Sequence, residues 1–174
     1  MNIFWFRRDL RLDDNVGLFD ALNSTEEVLP VFIFDESILA ELPKDDARVT
    51  FIHELLSKIQ EQLALQGKSL AVFHGKPVAV FKQLISEHSI STVYTNHDYE
   101  PYARKRDKEI NQLLKEHGID FKTSKDQVIF EKSEVVKDDG SPYVVYTPYS
   151  KKWKENFKKI KLVHYPSEEK LDNI

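Results

Sequence analysis

Five short apolar runs, each followed by a segment of helical period, occupy the first 124 residues and narrow the possible folds more than any other feature. Runs of strand length that alternate with crossover helices build a parallel sheet covered on both faces. The runs are Asn2–Phe6, Val28–Phe34, Ser69–Phe73, Ser91–Thr95 and Ile119–Thr123. Pro30 cannot donate to a ladder, so it predicts an irregular or edge-like start to the second run. Between the runs lie four predicted helices. Asn15 is placed to cap a short one carrying Leu18, Phe19 and Leu22. A long one spans about residues 46–66, with Val49, Ile52, Leu56, Ile59 and Leu63 on one face. Gly67 suits its left-handed end. Residues 77–88 and 101–117 form the other two, the first opened by Pro77 and the second stopped at Gly118. In the second, Ala103, Ile110, Leu113 and Leu114 face inward.

The pattern changes after residue 124. Gln127–Phe130, Glu134–Val136 and Tyr143–Tyr146 read as short strands, and Asp139-Gly140 as the turn of a small hairpin. An amphipathic helix follows, with Trp153, Phe157 and Ile160 on one face and Lys151, Lys152, Lys154, Lys158, Lys159 and Lys161 around them. These lysines read as a solvated face whose stems cover apolar surface; the other reading is a nucleic-acid patch. Residues 165–174 are polar and acidic and are expected to be an exit linker. The chain thus divides into an α/β body (1–130), a hairpin and helix extension (131–164) and the linker (165–174).

Composition removes several classes of function. The 174 residues contain no cysteine, which excludes disulfides, thiolate zinc sites and a cysteine nucleophile. The net charge of −4 offers no global basic surface to nucleic acid. The apolar start turns charged after six residues, too soon for a signal peptide, and no stretch is long enough to span a bilayer. The expectation is a cytoplasmic chain without membrane or metal partners. Its five glycines lie too far apart for G-x-G-x-x-G or a Walker A loop, and neither H-E-x-x-H nor G-x-S-x-G occurs.

In an open parallel sheet, ligands sit beyond the carboxyl ends of the strands. Three segments fall there: Arg7-Arg8-Asp9-Leu10-Arg11 after the first run, Phe32-Ile33-Phe34-Asp35 at the end of the second, and Asn96-His97-Asp98-Tyr99-Glu100-Pro101-Tyr102 after the fourth. Aromatic walls with a few carboxylates and arginines suit a planar heterocycle, which stacks on rings and donates hydrogen bonds to the carboxylates. Each group also has a purely structural reading. Arg8, Asp9 and Arg11 could close a salt-bridged turn, Asp35 could end its strand, Asp98 and Glu100 could favour a helix start, and Arg48 could be an exposed helix residue.

The opening Phe4-Trp5-Phe6-Arg7-Arg8-Asp9-Leu10-Arg11-Leu12-Asp13-Asp14-Asn15 resembles the amino terminus of the DNA photolyase/cryptochrome family. Further matches follow in family order. They are Val31–Asp35, Ala47-Arg48-Val49, Tyr99–Arg104 with Arg106-Asp107, and Tyr146-Thr147-Pro148-Tyr149 with Trp153. The resemblance implies a Rossmann-like three-layer sandwich with strand order 3-2-1-4-5, the domain that holds a light-harvesting antenna chromophore. FAD, the groove for damaged DNA and the carbon–carbon lyase chemistry belong, in such proteins, to a helical domain on the carboxyl side. A chain matching only the amino-terminal domain is therefore expected to repair no DNA alone and to work with such a domain.

Matched to deazaflavin-binding members, the resemblance implies chromophore contacts at Arg8, Phe32, Ile33, Asp35, Arg48, Asp98 and Glu100, with Tyr102 close by. Folate-binding members carry an Asn-Glu pair where this chain has Tyr102 and Ala103, which disfavours methenyltetrahydrofolate and favours a deazaflavin or flavin, or an empty pocket. Other readings of the same chain are a cryptochrome-type blue-light photoreceptor domain, a free-standing nucleotide-binding module, and a docking module whose sheet rim contacts another protein.

Overall fold

A computed structural model describes residues 1–174. The strands are β1 (Asn2–Phe6), β2 (Val28–Asp35), β3 (Ala71–Gly75), β4 (Thr92–Asn96) and β5 (Asp120–Ser124), and the helices of the body are α1 (Val16–Leu22), α2 (Glu36–Leu39), α3 (Ala47–Ala64), α4 (Pro77–Glu87) and α5 (Pro101–Glu116). The strands form one parallel sheet in the order β3-β2-β1-β4-β5, as the resemblance implied. Pro30 pairs with Phe4 one residue before β2 begins to pair with β3, so its outer side lacks a strand neighbour and no ladder bond is forfeited there.

Period-two alternation sends β1 side chains to both faces. Phe4 and Phe6 pack with Leu18 and Leu22 of α1 and with Leu56, Ile59 and Leu63 of α3. Ile3 and Trp5 pack on the other face with Val80, Phe81 and Leu84 of α4 and Ile110, Leu113 and Leu114 of α5. All five β1 residues are buried, which is why this strand reads as an unbroken apolar run. Helix boundaries follow their caps. Asn15 Oδ1 accepts from the Leu18 amide at 3.1 Å, and Asp46 accepts from the Arg48 amide at 2.9 Å. Gly67 adopts a φ of 71° just past α3.

Two expectations are corrected. No strand forms between residues 125 and 145, so the hairpin at Asp139-Gly140 is absent. Its second arm has no sheet edge to complete, and Tyr146-Thr147-Pro148 instead forms the first turn of α6 (Tyr146–Phe157), where proline is tolerated. Residues 165–174 are not the solvated stretch that their composition predicts. A 3-10 helix over Ser167–Asn173 docks beside α1, burying Ser167 and inserting Leu171 into the α1/α3 core. Ser167 Oγ donates to the Leu12 carbonyl at 2.6 Å and accepts from the Asn15 amide at 3.1 Å. Asn173 Nδ2 reaches the Leu22, Ser24 and Glu26 carbonyls at 3.0–3.3 Å.

One point of close approach governs the joint between α1 and β4. The Gly17 amide donates to Asn96 Oδ1 at 2.9 Å, and a Cβ at residue 17 would lie 2.6 Å from that oxygen and 3.0 Å from the Phe4 ring. Gly17→Ala should therefore destabilise the fold by about 1–3 kcal/mol through overpacking and a displaced buried hydrogen bond, read as a lower urea midpoint. Leu171→Ala should cost about 2 kcal/mol or more as a buried truncation, whereas a solvated linker would show no change in the same unfolding curve.

Candidate functional site

Beyond the carboxyl ends of β1, β2 and β4 lies a cleft of about 330 Å³. Its size is within the range usual for small-molecule sites, and eleven of its nineteen lining residues are hydrophobic. All eight residues singled out in the sequence line it: Arg8, Phe32, Ile33, Asp35, Arg48, Asp98, Glu100 and Tyr102. Phe32, Ile33 and Asp35 come from the end of β2, Arg8 from the turn after β1, and Asp98 and Glu100 from the turn after β4. Tyr102 stands on the first turn of α5 and Arg48 on the first turn of α3.

The polar groups of the floor are paired. Asp35, 6% exposed, caps α2 by accepting from the Ser37 amide at 2.9 Å and accepts from the Tyr102 hydroxyl at 2.5 Å. Burial and that bond to Asp35 hold the Tyr102 phenol above its ordinary range, so it stays a donor. Asp35 is thus both the strand-ending cap and a cleft residue.

Arg106, which the sequence reading did not select, is 7% exposed and lies over the Trp5 ring at 4.9 Å from its centroid. Arg7 approaches the same ring at 5.1 Å, pairs with Asp107 at 2.5 Å and donates to the Asn96 carbonyl. Burial, followed by repulsion from Arg7, lowers the pKa of Arg106. Tyr102, Ala103 and Arg106 all line the cleft, at spacings of one and four residues on α5; extending the Tyr102 position by one helical turn would have found Arg106. Trp5, Leu39 and Leu42 were missed for another reason: each looks like ordinary core or loop until the strands are set in order.

The mouth is charged and open. Arg8 bonds Glu100 at 2.8 Å and lies 3.6 Å from Asp98, and the hydrogen bond to Glu100 leads the influences that raise its pKa. Arg48 forks onto Asp46 at 2.9 and 2.7 Å, and this pair of hydrogen bonds pulls the Asp46 carboxyl down to about 2. The Arg48 side chain remains 70% exposed, free to exchange Asp46 for a ligand at the rim. Asp98 is the most enclosed carboxylate of the turn, 9% exposed, with Arg106 at 3.9 Å behind it. Tyr99 points away from the cleft: its hydroxyl donates to Glu131 at 2.6 Å, and Glu131 also meets His97 at 2.8 Å, tying the segment after β5 to the end of β4. Asp9 is buried and structural, accepting from the Arg7 amide at 2.8 Å and from Asn96 Nδ2.

The cleft therefore offers an apolar slot between Phe32, Ile33 and Trp5, with four arginines against three carboxylates along it. Such a lining accommodates a flat ring bearing several hydrogen-bonding edges and little net charge. No helix of the chain is long and apolar enough to cross a membrane.

Comparison with known proteins agrees with this architecture. The family described as DNA photolyase matches residues 2–169. A deoxyribodipyrimidine photo-lyase from Synechococcus is 34% identical over 151 residues, 87% of this chain and 31% of its own length. The crystal structure of a class III photolyase from Agrobacterium tumefaciens aligns with a TM-score of 0.75 at 34% identity, over 84% of this chain and 30% of that one. An archaeal photolyase from Sulfolobus tokodaii, solved with two FAD molecules and described as implying a novel light-harvesting cofactor, aligns with a TM-score of 0.74 at 30% identity, over 94% and 36%. The chain spans about a third of the length of these relatives. Matched almost from end to end by that family, and sharing the parallel sheet of its solved members, the chain belongs to the DNA photolyase family.

Proposed function

We propose that this domain holds an antenna chromophore, a flavin or deazaflavin, in the cleft above β1, β2 and β4, and serves a light-driven enzyme that splits pyrimidine dimers in DNA. The observation that carries the reading is the convergence of eight residues from four separate segments on one cleft. A chromophore held there would supply light absorption and excitation transfer to a reduced flavin elsewhere in the protein. The chain's own residues bind and orient it: Phe32 and Ile33 border its ring, Asp98 and Glu100 accept from its donors, and Arg8, Arg48 and Tyr102 donate to its acceptors. Tyr102 and Ala103 replace the Asn-Glu pair of folate-binding members, which supports a flavin over methenyltetrahydrofolate.

Repair itself falls to a helical FAD domain on the carboxyl side, which also meets the damaged DNA. The net charge of −4 supports this division of labour, because DNA affinity rests on basic surface. So does the extension after β5, where Val144, Tyr146, Leu162 and Val163 are 61–88% exposed and Val135 is the one buried apolar residue between 125 and 164. A surface so apolar fits contact with further protein.

Titration of the purified chain with FMN or riboflavin, followed by quenching of flavin fluorescence, should give tighter binding than methenyltetrahydrofolate. Asp98→Ala combined with Glu100→Ala should weaken flavin binding at least tenfold, since both removes acceptors and leaves Arg8 unpaired. Identical titration curves for the double variant and the parent would reject the site.

A further inference from the structure

No residue beyond Arg106 lines the main cleft, yet the turn that carries two of its carboxylates is held by a residue of the extension. Asp98 and Glu100 face the cleft, while His97 and Tyr99, which alternate with them, turn away from it and meet one carboxylate oxygen. The Tyr99 hydroxyl donates to Glu131 Oε2 at 2.6 Å, and His97 Nδ1 lies 2.8 Å from the same atom. An ionised carboxylate can only accept, so Nδ1 carries the proton, and in the neutral ring Nε2 accepts from the Thr123 hydroxyl at 2.8 Å. The backbone is gripped from the same direction. The His97 amide donates to the Ser124 carbonyl at 2.8 Å, and Gln127 Nε2 donates to the His97 carbonyl at 2.6 Å.

The cleft side of the turn offers much less. Within residues 97–100 one hydrogen bond forms, from the Glu100 amide to Asp98 Oδ1 at 3.4 Å. Arg8 and Arg106 stand 3.6 and 3.9 Å from Asp98, and the shorter contact, Arg8 to Glu100 at 2.8 Å, joins two exposed side chains. Exposed pairs of that kind do little to fix a backbone. The Glu131 side chain is only 13% exposed, and hydrogen bonds screened from water are the stronger ones. Burial, followed by the bond to Glu131, pushes the Tyr99 phenol well above its ordinary range, so it remains a donor.

Glu131 also opens the 3-10 helix over Lys132–Glu134. Its amide donates to Glu134 Oε2 at 2.6 Å, and the Glu134 carbonyl accepts from Asn156 Nδ2 of α6 at 3.0 Å. One carboxylate thus joins the extension to the turn. We propose that Glu131 is a positioning residue of the cleft: by holding Tyr99 and His97 it sets the direction in which Asp98 and Glu100 meet the ligand. This rests on the reading of the cleft as a flavin site and adds a residue that touches no part of the ligand.

Riboflavin titration of the full chain and its variants separates such a role from a general loosening of the fold. Glu131→Ala should weaken binding about fivefold, whereas Glu131→Gln, which keeps an oxygen acceptor for Tyr99 and His97, should stay within about twofold of the parent. In a chain already carrying Asp98→Ala and Glu100→Ala, Glu131→Ala should have no further effect, because groups that act through one another are not additive. Tyr99→Phe removes one of the two bonds and should weaken binding about twofold, with the same silence in that background; it serves if Glu131→Ala fails to fold. Amide exchange gives a reading that needs no ligand: the His97 and Glu100 amides should exchange about tenfold faster in Glu131→Ala than in the parent. Unchanged affinity in Glu131→Ala, or the same loss in both backgrounds, would overturn the positioning role. If the parent chain binds no riboflavin, the flavin reading is overturned, while faster exchange would still support the hold of Glu131 on the turn and unchanged exchange would remove it.

Discussion

The buried amide of Asn96 joins the turn after β1, the start of α1 and the end of β4. Its Nδ2 donates to Asp9 and to Asn15 Oδ1, and its Oδ1 accepts from the Gly17 amide. Asn15 in turn caps α1 and donates to the Asp9 carbonyl at 3.2 Å. At the carboxyl end of a parallel sheet the strands stop hydrogen-bonding to one another, so the loops beyond them need another source of order. Here a fully satisfied polar cluster supplies it, and such clusters favour one arrangement because every misaligned alternative buries an unpaired group. The turn after β1 is thereby held against the end of β4, and Arg7, Arg8 and Arg11 leave it in fixed directions. The tail is tied into the same cluster through Ser167, so residues distant in sequence share one joint.

Electrostatics above that joint are arranged in depth. Arg106 and Arg7 are both nearly enclosed, an arrangement of like charges that burial alone would oppose. Three things offset it: the face of Trp5 beneath both guanidinium groups, Asp107 between them at 2.5 and 3.1 Å, and Asp98 at 3.9 Å from Arg106. The positive charge of the floor is therefore largely neutralised before any ligand arrives, and the slot beside Phe32 and Ile33 keeps an apolar character despite the four arginines along it.

How much of this the sequence reveals depends on whether the governing contact is local. The central strands were legible because burial on two faces writes unbroken apolar runs, their order followed from the family resemblance alone, and the cleft was legible because strand ends must face one rim. Arg106 was not, since a charged residue in a helix of amphipathic period looks solvated until Trp5 is seen beneath it. Residues 167–173 misled for a similar reason. Ser-Glu-Glu-Lys-Leu-Asp-Asn has the composition of a solvated tail, yet Ser167, Leu171 and Asn173 dock because α1 offers acceptors and a groove more than 140 residues earlier. The hairpin expected around Asp139-Gly140 rested on turn and strand propensities alone, and such propensities yield when no partner strand is present to complete the ladder.

If the cleft holds the proposed ring, the contrast between floor and mouth would let one scaffold select for ring shape while leaving affinity open to adjustment. Asp35, Trp5 and Arg106 are fixed by burial and Tyr102, 40% exposed, by its bond to Asp35, so on the proposed reading they would define which ring edges are accepted. Arg8, Arg48 and Glu100 are 57%, 70% and 64% exposed and are paired only with one another, with Asp98 or with Asp46. Exposed pairs of that kind contribute at most about 1 kcal/mol, so rearranging them around a ligand costs little. Any protein surface that closed over the mouth would desolvate those same charges and strengthen each bond they make to the ligand. On the proposed reading, recognition would reside in the sheet and its first helical turns, and the strength of binding in what covers them.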